Sequence, residues 1–244
     1  MKKILTVLFA GLLITVCLCG CVSINFTGLD AVVGKGVPEK YSFTVGDFNE
    51  IYIEMFCNIE YYAGDSGVVT LEIQPNLTEY VTVENTGGVL NVRATRSISW
   101  SEKAPVLTVS IPTLKGVTYA GAGDFKTHDI IQADSFSLIM SGAGSVNAGL
   151  DVNELFVSLS GAGHAEFSGN ADYADINLLG AGGIDAMALQ TADARVAISG
   201  VGSVRVNCSE NLRIIASGLG SVEYSGSAKV DIKNEGLTSI KKIG

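Results

Sequence analysis

The sequence predicts an all-β chain wound as a parallel β-helix, and three observations carry that prediction. The first is a repeated glycine corner. First glycines of Gly-x-Gly or near-Gly-x-Gly segments stand at Gly121, Gly142, Gly161, Gly180, Gly200, Gly218 and Gly236, giving spacings of 21, 19, 19, 20, 18 and 18 residues. A period near 20 is that of a solenoid in which each repeat is one turn of a stack. The second is period-two alternation before each corner. Leu138, Val157, Ile176, Val196, Ile214 and Ile232 stand four residues ahead of the glycine, with apolar columns at six and two ahead as well. Between them lie mostly polar residues such as Asp175, Arg195, Arg213 and Asp231. Each repeat therefore carries a strand with one buried face.

The third observation is a second strand after each corner. Phe125, Val146, Ala165, Ile184, Val204, Val222 and Ile240 stand four residues past the first glycine. The next position outward holds Lys126, Asn147, Glu166, Asp185, Arg205, Glu223 and Lys241, a solvent face. Two short strands per repeat and no helical period select a β-helix. Leucine-rich repeats share the period but need an asparagine-bearing consensus that is absent here. At the corners a Cβ would obstruct positive φ or close approach of adjacent turns, which explains the glycines. A phosphate-binding glycine loop leads from a strand into a helix N-terminus, whereas each of these leads into another strand, so nucleotide binding is not the expectation.

In chain order, Met1-Lys2-Lys3 and the apolar run Ile4 to Leu18 form the charged and hydrophobic regions of a secretory signal, too short to span a bilayer comfortably. The run ends in Leu18-Cys19-Gly20-Cys21, which resembles a bacterial lipobox. Residues 1–20 are thus expected to be a lipoprotein signal peptide, and Cys21 the lipid-modified first residue of the mature chain. Residues 21–40, with Gly28, Gly34, Gly36 and Pro38, read as a tether or an irregular lead-in.

Strand signals begin at Tyr41 and run through Tyr41–Val45, Glu50–Met55, Asn58–Tyr62, Val68–Ile73, Tyr80–Glu84, Val89–Ala94 and Val106–Ile111. Gly64-Asp65-Ser66-Gly67 and Asn85-Thr86-Gly87-Gly88 look like hairpin turns between them. Residues 41–117 are expected to form irregular, larger turns at the N-terminal end, and 118–244 the regular rungs, in one domain. The last rung changes character. Asn234 enters an apolar column, Glu235 replaces the serine before the glycine, and Lys241-Lys242 follow. Such residues either discourage end-to-end stacking of an open sheet or reflect a fraying terminus.

The formal charge is −9, or −11 once Lys2 and Lys3 leave with the leader. An acidic surface without a basic stripe speaks against nucleic-acid partners, and membrane contact is expected through the acyl anchor rather than the protein face. Cys57 and Cys208 sit far apart and are expected to be buried free thiols. Trp100, the only tryptophan, lies near Arg93, Arg96 and Lys103. It is the candidate contact to a surface glycan or a protein partner, against the alternative of a ring folded back onto the apolar surface.

No cofactor or metal is expected. His128 and His164 fall on different columns with no shared ligand cluster. Glu166 and Asp185 form the best acidic pair for glycoside hydrolysis, but Arg205 follows in the same column and a surface charge ladder explains the trio equally well.

The tandem Ser-Gly-x-Gly repeats are preceded by Gly34-Lys35-Gly36, Phe48-Asn49-Glu50-Ile51 and Pro112-Thr113-Leu114-Lys115. In that order they resemble the putative auto-transporter adhesin, head GIN domain family of bacterial envelope proteins, over roughly Leu29 to Ile240. The resemblance implies a right-handed parallel β-helix and a cell-surface role of the adhesin class, with no catalytic residues to carry over. The expected function is therefore an envelope-anchored, non-catalytic binding or structural lipoprotein. A polysaccharide-binding or polysaccharide-cleaving β-helix protein and an envelope-stress or signalling component are the competing readings.

Overall fold

The computed structural model of the chain describes residues 31–65 and 67–243. The expected signal peptide, Cys21 and the first part of the lead-in lie outside the described residues. From Val32 onward the fold is a β-solenoid. Its rungs are built from β10 (Gly116–Tyr119), β11 (Phe125–Thr127), β12 (Ile131–Met140), β13 (Ala143–Leu159), β14 (Ala162–Leu178), β15 (Ala181–Ile198), β16 (Val201–Ala216), β17 (Leu219–Ser225), β18 (Lys229–Asn234) and β19 (Leu237–Lys242).

These strands pair in parallel, and residues at equivalent places in the repeat face one another. Ile176 stands opposite Val196, which stands opposite Ile214, and Ala165, Ile184 and Val204 line up in the same way. The apolar columns are the core: Leu138, Val157, Ile176, Val196 and Ile214 are all buried. Their polar intermediates point outward because successive side chains of a strand alternate faces.

Each rung is less divided than the sequence suggests. Instead of two short strands, β13 to β16 are single strands of 16 to 18 residues broken only at the glycine corner. The second bend of each turn is made within the ladder. Gly169 makes it with φ +104, where a Cβ would lie 2.0 Å from the Leu150 carbonyl oxygen. The glycine corners themselves have a harder constraint. A Cβ on Gly161 would stand 1.7 Å from the carbonyl oxygen of Gly142 in the preceding rung, and Gly182 in the second corner position has φ +148. At Gly161 the reason is close approach, and at Gly182, where a Cβ would also stand 1.8 Å from the Gly163 carbonyl oxygen, it is both.

The N-terminal end is where sequence order and stacking order part. Here lie β1 (Val32–Val33), β2 (Glu39–Gly46), β3 (Glu50–Ile53), β4 (Asn58–Ala63), β5 (Gly67–Ile73), β6 (Val81–Thr86), β7 (Val89–Ala94), β8 (Ile98–Ser99) and β9 (Val106–Ile111). β3 and β4 form a rung directly against β10 and β11. β7 and β9, later in the chain, form the rung on the far side of β3 and β4. Antiparallel strands then close the stack: β6 on β7, β5 on β9, and β2 on β5.

The hairpin expected at Asn85–Gly88 is present, with Gly87 and Gly88 both at positive φ between paired Thr86 and Val89. The one expected at Gly64–Gly67 is not a hairpin. β9 lies between β4 and β5 and pairs with both, because the edge of β4 is taken by a parallel neighbour. Residues 32–40 are packed against this end. β1 pairs with β8, and buried Gln74 donates to the Gly36 carbonyl at 2.9 Å and accepts from the Ser101 amide at 3.1 Å.

At the other end the core columns run out into solvent. Val230 is half-buried and Ile232 is 46% exposed. Asn234 closes the last corner: its side chain donates to the Thr238 carbonyl at 2.7 Å and accepts from the Gly236 amide at 3.2 Å. Thr238, in register with Gly220, donates its hydroxyl to the Gly218 carbonyl at 3.0 Å. Asn234 thus ties the last corner to itself, and Thr238 ties it to the rung before.

Candidate functional site

The outward positions of the strands that precede each corner make two parallel walls. Seven residues before the first glycine, Glu154, Tyr173, Asp193, Asn211 and Lys229 stand in register; five before it, Phe156, Asp175, Arg195, Arg213 and Asp231 do the same. Between the walls the backbone of the buried column forms the floor, with Ala194, Leu212 and Val230 at one end and Phe136 and Leu155 at the other. The result is an open groove along the solenoid axis in two segments, of about 490 Å³ and about 260 Å³. Tyr173 belongs to both segments, so they run into each other.

The groove carries a distinct chemistry along its length. Phe156 is 41% and Tyr173 39% exposed, on opposite walls and one rung apart. Beyond them the polar groups are held in place. Arg195 donates to Asp175 at 2.8 Å and to the Asn177 side chain at 3.0 Å, and Asn211 donates to Asp193 at 2.7 Å. Arg213 and Asp231 face each other at 3.9 Å, and Lys229 is exposed at the rim. Partial burial, reinforced by the Asp175 carboxylate, raises the Tyr173 pKa, so its hydroxyl keeps its proton further into alkali than a free tyrosine.

The residues singled out from sequence lie elsewhere. Trp100 is half-buried, with its ring centroid 4.4 Å from that of Phe56, which bridges to Ala122 at the start of the corner ridge. Its neighbouring cations are occupied: Arg93 faces Glu84, Arg96 lies over the Tyr80 ring, and Lys103 pairs with Glu72 at 2.9 Å. Trp100 thus stands apart from the groove, packed on the corner edge.

Glu166 and Asp185 do sit side by side in register, on the face after the corner. Asp185 accepts from Arg205 at 2.6 Å, Arg205 also faces Glu223 at 3.3 Å, and Glu166 accepts from Asn147 at 3.4 Å. This is a charge ladder across successive rungs rather than a carboxyl pair held for acid and base work. His128 pairs with Glu60 and stacks on Tyr62 at 4.5 Å, while His164 is exposed on a different column. Among the described residues no group of three or more His, Cys, Asp or Glu is placed to hold a metal ion. Cys57 and Cys208 are buried free thiols, and burial pushes the Cys57 thiol up to about 12.

The groove itself was not singled out from sequence. Its signal was present in the aromatic residues Phe156 and Tyr173, which stand in two outward columns otherwise filled by serine, asparagine and charged residues.

Comparison with known proteins bears on this architecture. A family model described as putative auto-transporter adhesin, head GIN domain, matches residues 47–228. No curated protein matches the chain. Among solved structures, one described as a putative adhesin from Bacteroides fragilis is 23% identical, covers 87% of this chain and 100% of its own, and superposes with a TM-score of 0.79. A protein from Parabacteroides distasonis described as a putative lipid binding protein is 22% identical, with coverage of 88% and 100% and a TM-score of 0.69. A putative adhesin from Parabacteroides merdae is 23% identical, with coverage of 88% and 100% and a TM-score of 0.64. At these identities the likeness carries the fold alone.

Proposed function

The chain belongs to the putative auto-transporter adhesin, head GIN domain family, and from that premise we propose that it is a cell-envelope lipoprotein, anchored through Cys21, whose solenoid binds a surface ligand without catalysing a reaction. The observation that carries the binding role is the groove. It offers exposed aromatic faces and fixed hydrogen-bonding groups on a rigid sheet, the arrangement that binding sites on stable scaffolds use. Support for a non-catalytic role comes from the carboxylates. Asp175, Asp185 and Asp193 are each engaged by a neighbouring arginine or asparagine, which leaves little for proton transfer. The lipobox-like Leu18-Cys19-Gly20-Cys21 supports the anchor, since two acyl chains on one residue hold a protein stably at a membrane.

Two measurements test this reading. Cys21→Ala is expected to move the protein out of the membrane fraction and to leave the signal peptide uncleaved by lipoprotein processing; retention in the membrane with normal processing refutes the anchor. Cells lacking the protein are expected to attach less to glycan- or protein-coated surfaces than cells that carry it. Unchanged attachment, or release of products from an incubated polysaccharide, refutes the non-catalytic binding role.

A further inference from the structure

The groove between the two outward walls has a repeat, a charge balance and a pair of rings that together select a class of ligand. Its walls present a new pair of side chains at each rung, and neighbouring rungs are about 4.8 Å apart. From β12 to β18 that is five steps, a track about 24 Å long. A site with this translational repeat fits a polymer that also repeats on the scale of one sugar ring. An extended chain of pyranoses advances by a similar distance per residue.

The rings specify the kind of contact. Phe156 and Tyr173 keep large exposed apolar faces on two walls whose other side chains are serine, asparagine or charged. Neither ring is stacked on another aromatic ring among the described residues. Their registers place them diagonally across the groove, Phe156 opposite Asp175 and Tyr173 opposite Glu154. Diagonal neighbours in a sheet are about 7–8 Å apart at the backbone, so consecutive rings of a chain lying in the groove meet first one platform and then the other. A flat hydrocarbon face with a hydroxyl at its edge suits the C–H face and equatorial hydroxyls of a sugar.

The polar groups narrow the class further. Along the aromatic and polar segments stand Glu154, Asp175, Asp193 and Asp231 against Arg195, Arg213 and Lys229. The near balance of signs gives no field for a polyanion or a polycation, and the whole chain is acidic at −9. Carboxylates accept from hydroxyls, and guanidinium, ammonium and amide groups donate to them. Arg195 and Asp193 are already fixed by their neighbours, so little side-chain entropy is lost on binding.

We propose that this groove binds an uncharged, linear saccharide lying along the solenoid axis, with Phe156 and Tyr173 as stacking platforms and Asp193, Arg195 and Arg213 as hydroxyl-binding groups. The proposal deepens the binding role given above and rests on it. It separates that role from Trp100, which the fold places on the corner edge.

The test uses the full-length chain solubilised in detergent, titrated calorimetrically with cellohexaose, laminarihexaose, mannohexaose and xylohexaose, and with hexagalacturonate and a heparin hexasaccharide as charged probes. At least one uncharged hexasaccharide is expected to bind, and both charged probes to bind more weakly. Tyr173→Ala and Phe156→Ala are each expected to weaken binding about tenfold, the scale of one aromatic contact. Tyr173→Phe should restore most of the stacking, and Glu166→Gln, on the other face, should change nothing.

Thermal unfolding of the two alanine variants should stay cooperative and lie only a little below the parent, since the rings are 41% and 39% exposed. Binding only of the charged probes overturns the proposal, as does binding that is indifferent to both alanine variants. Cell attachment that survives Tyr173→Ala and Phe156→Ala overturns the saccharide groove while leaving the adhesin role standing. Attachment lost in those variants without binding of any hexasaccharide assigns the groove to a protein ligand instead and likewise overturns the proposal.

Discussion

Val196→Ala is the substitution that most directly interrogates the stacked core. Val196 is fully buried, in register between Ile176 and Ile214 of the adjacent rungs. The change removes two methyl groups, and at about 0.8 kcal/mol per buried carbon the lost transfer energy is about 1.6 kcal/mol. The rungs on either side are held at a fixed spacing by the hydrogen-bonded ladder and cannot close in, so a residual cavity adds to this and the total is about 2–3 kcal/mol.

One residue earlier, Arg195 points outward to Asp175 and Asn177, with a third of its side chain exposed. Its replacement by Ala removes a partly screened ion pair, worth under about 1 kcal/mol. Urea unfolding followed by circular dichroism, with the slope checked for constancy between variants, reads the two values on one scale. The expected order is Val196→Ala well below Arg195→Ala in stability. Equal losses, or a larger loss for Arg195→Ala, refute the inward and outward assignment on which both the core and the groove depend.

Gly161→Ala should disrupt folding by more than about 4 kcal/mol, because its Cβ would stand 1.7 Å from the Gly142 carbonyl oxygen. Ala162→Ser beside it, at the exposed tip of the same corner, should stay within about 0.5 kcal/mol; comparing expression and melting temperature decides between them. In alkali the buried Cys57 thiol resists ionisation until about pH 12 in the folded chain but ionises near 9.0 when unfolded. The unfolded state therefore sheds the proton first, and stability is expected to be intact below pH 9 and to fall by up to about 4 kcal/mol as pH approaches 12. Cys57→Ala should fall less steeply, the remaining slope coming from Cys208 and from Tyr119, Tyr61 and Tyr173, whose pKa values burial also raises. At the C-terminal end, Asn234→Val combined with Lys241→Ser and Lys242→Thr should promote concentration-dependent association, since it removes the corner bonds of Asn234 and the terminal charges together. Sedimentation of the triple variant as the same species as the parent at every concentration rules this out.

Much of the solenoid is legible in the sequence because its contacts recur at a fixed spacing. When residue i packs on residue i plus one turn, the same demand is made in every rung. The column through Ile176, Val196 and Ile214 and the close approach at Gly142 and Gly161 therefore appear as periodic letters. Strand alternation likewise settles which residues face in, and so Arg195 and Arg205 are correctly outward. The N-terminal end obeys no period. That β9 slides between β4 and β5, and that the rung of β7 and β9 stacks beyond an earlier one, depends on pairings across irregular separations that no local pattern encodes. The fate of Trp100 was open for the same reason, since its partner Phe56 is distant in sequence. The groove required the structure too. Alternation and the count back from each glycine say which of Phe156, Tyr173, Asp193 and Arg213 lie outside and share a column, whereas the open space the two columns enclose over a shared floor is decided by the stacking of whole rungs.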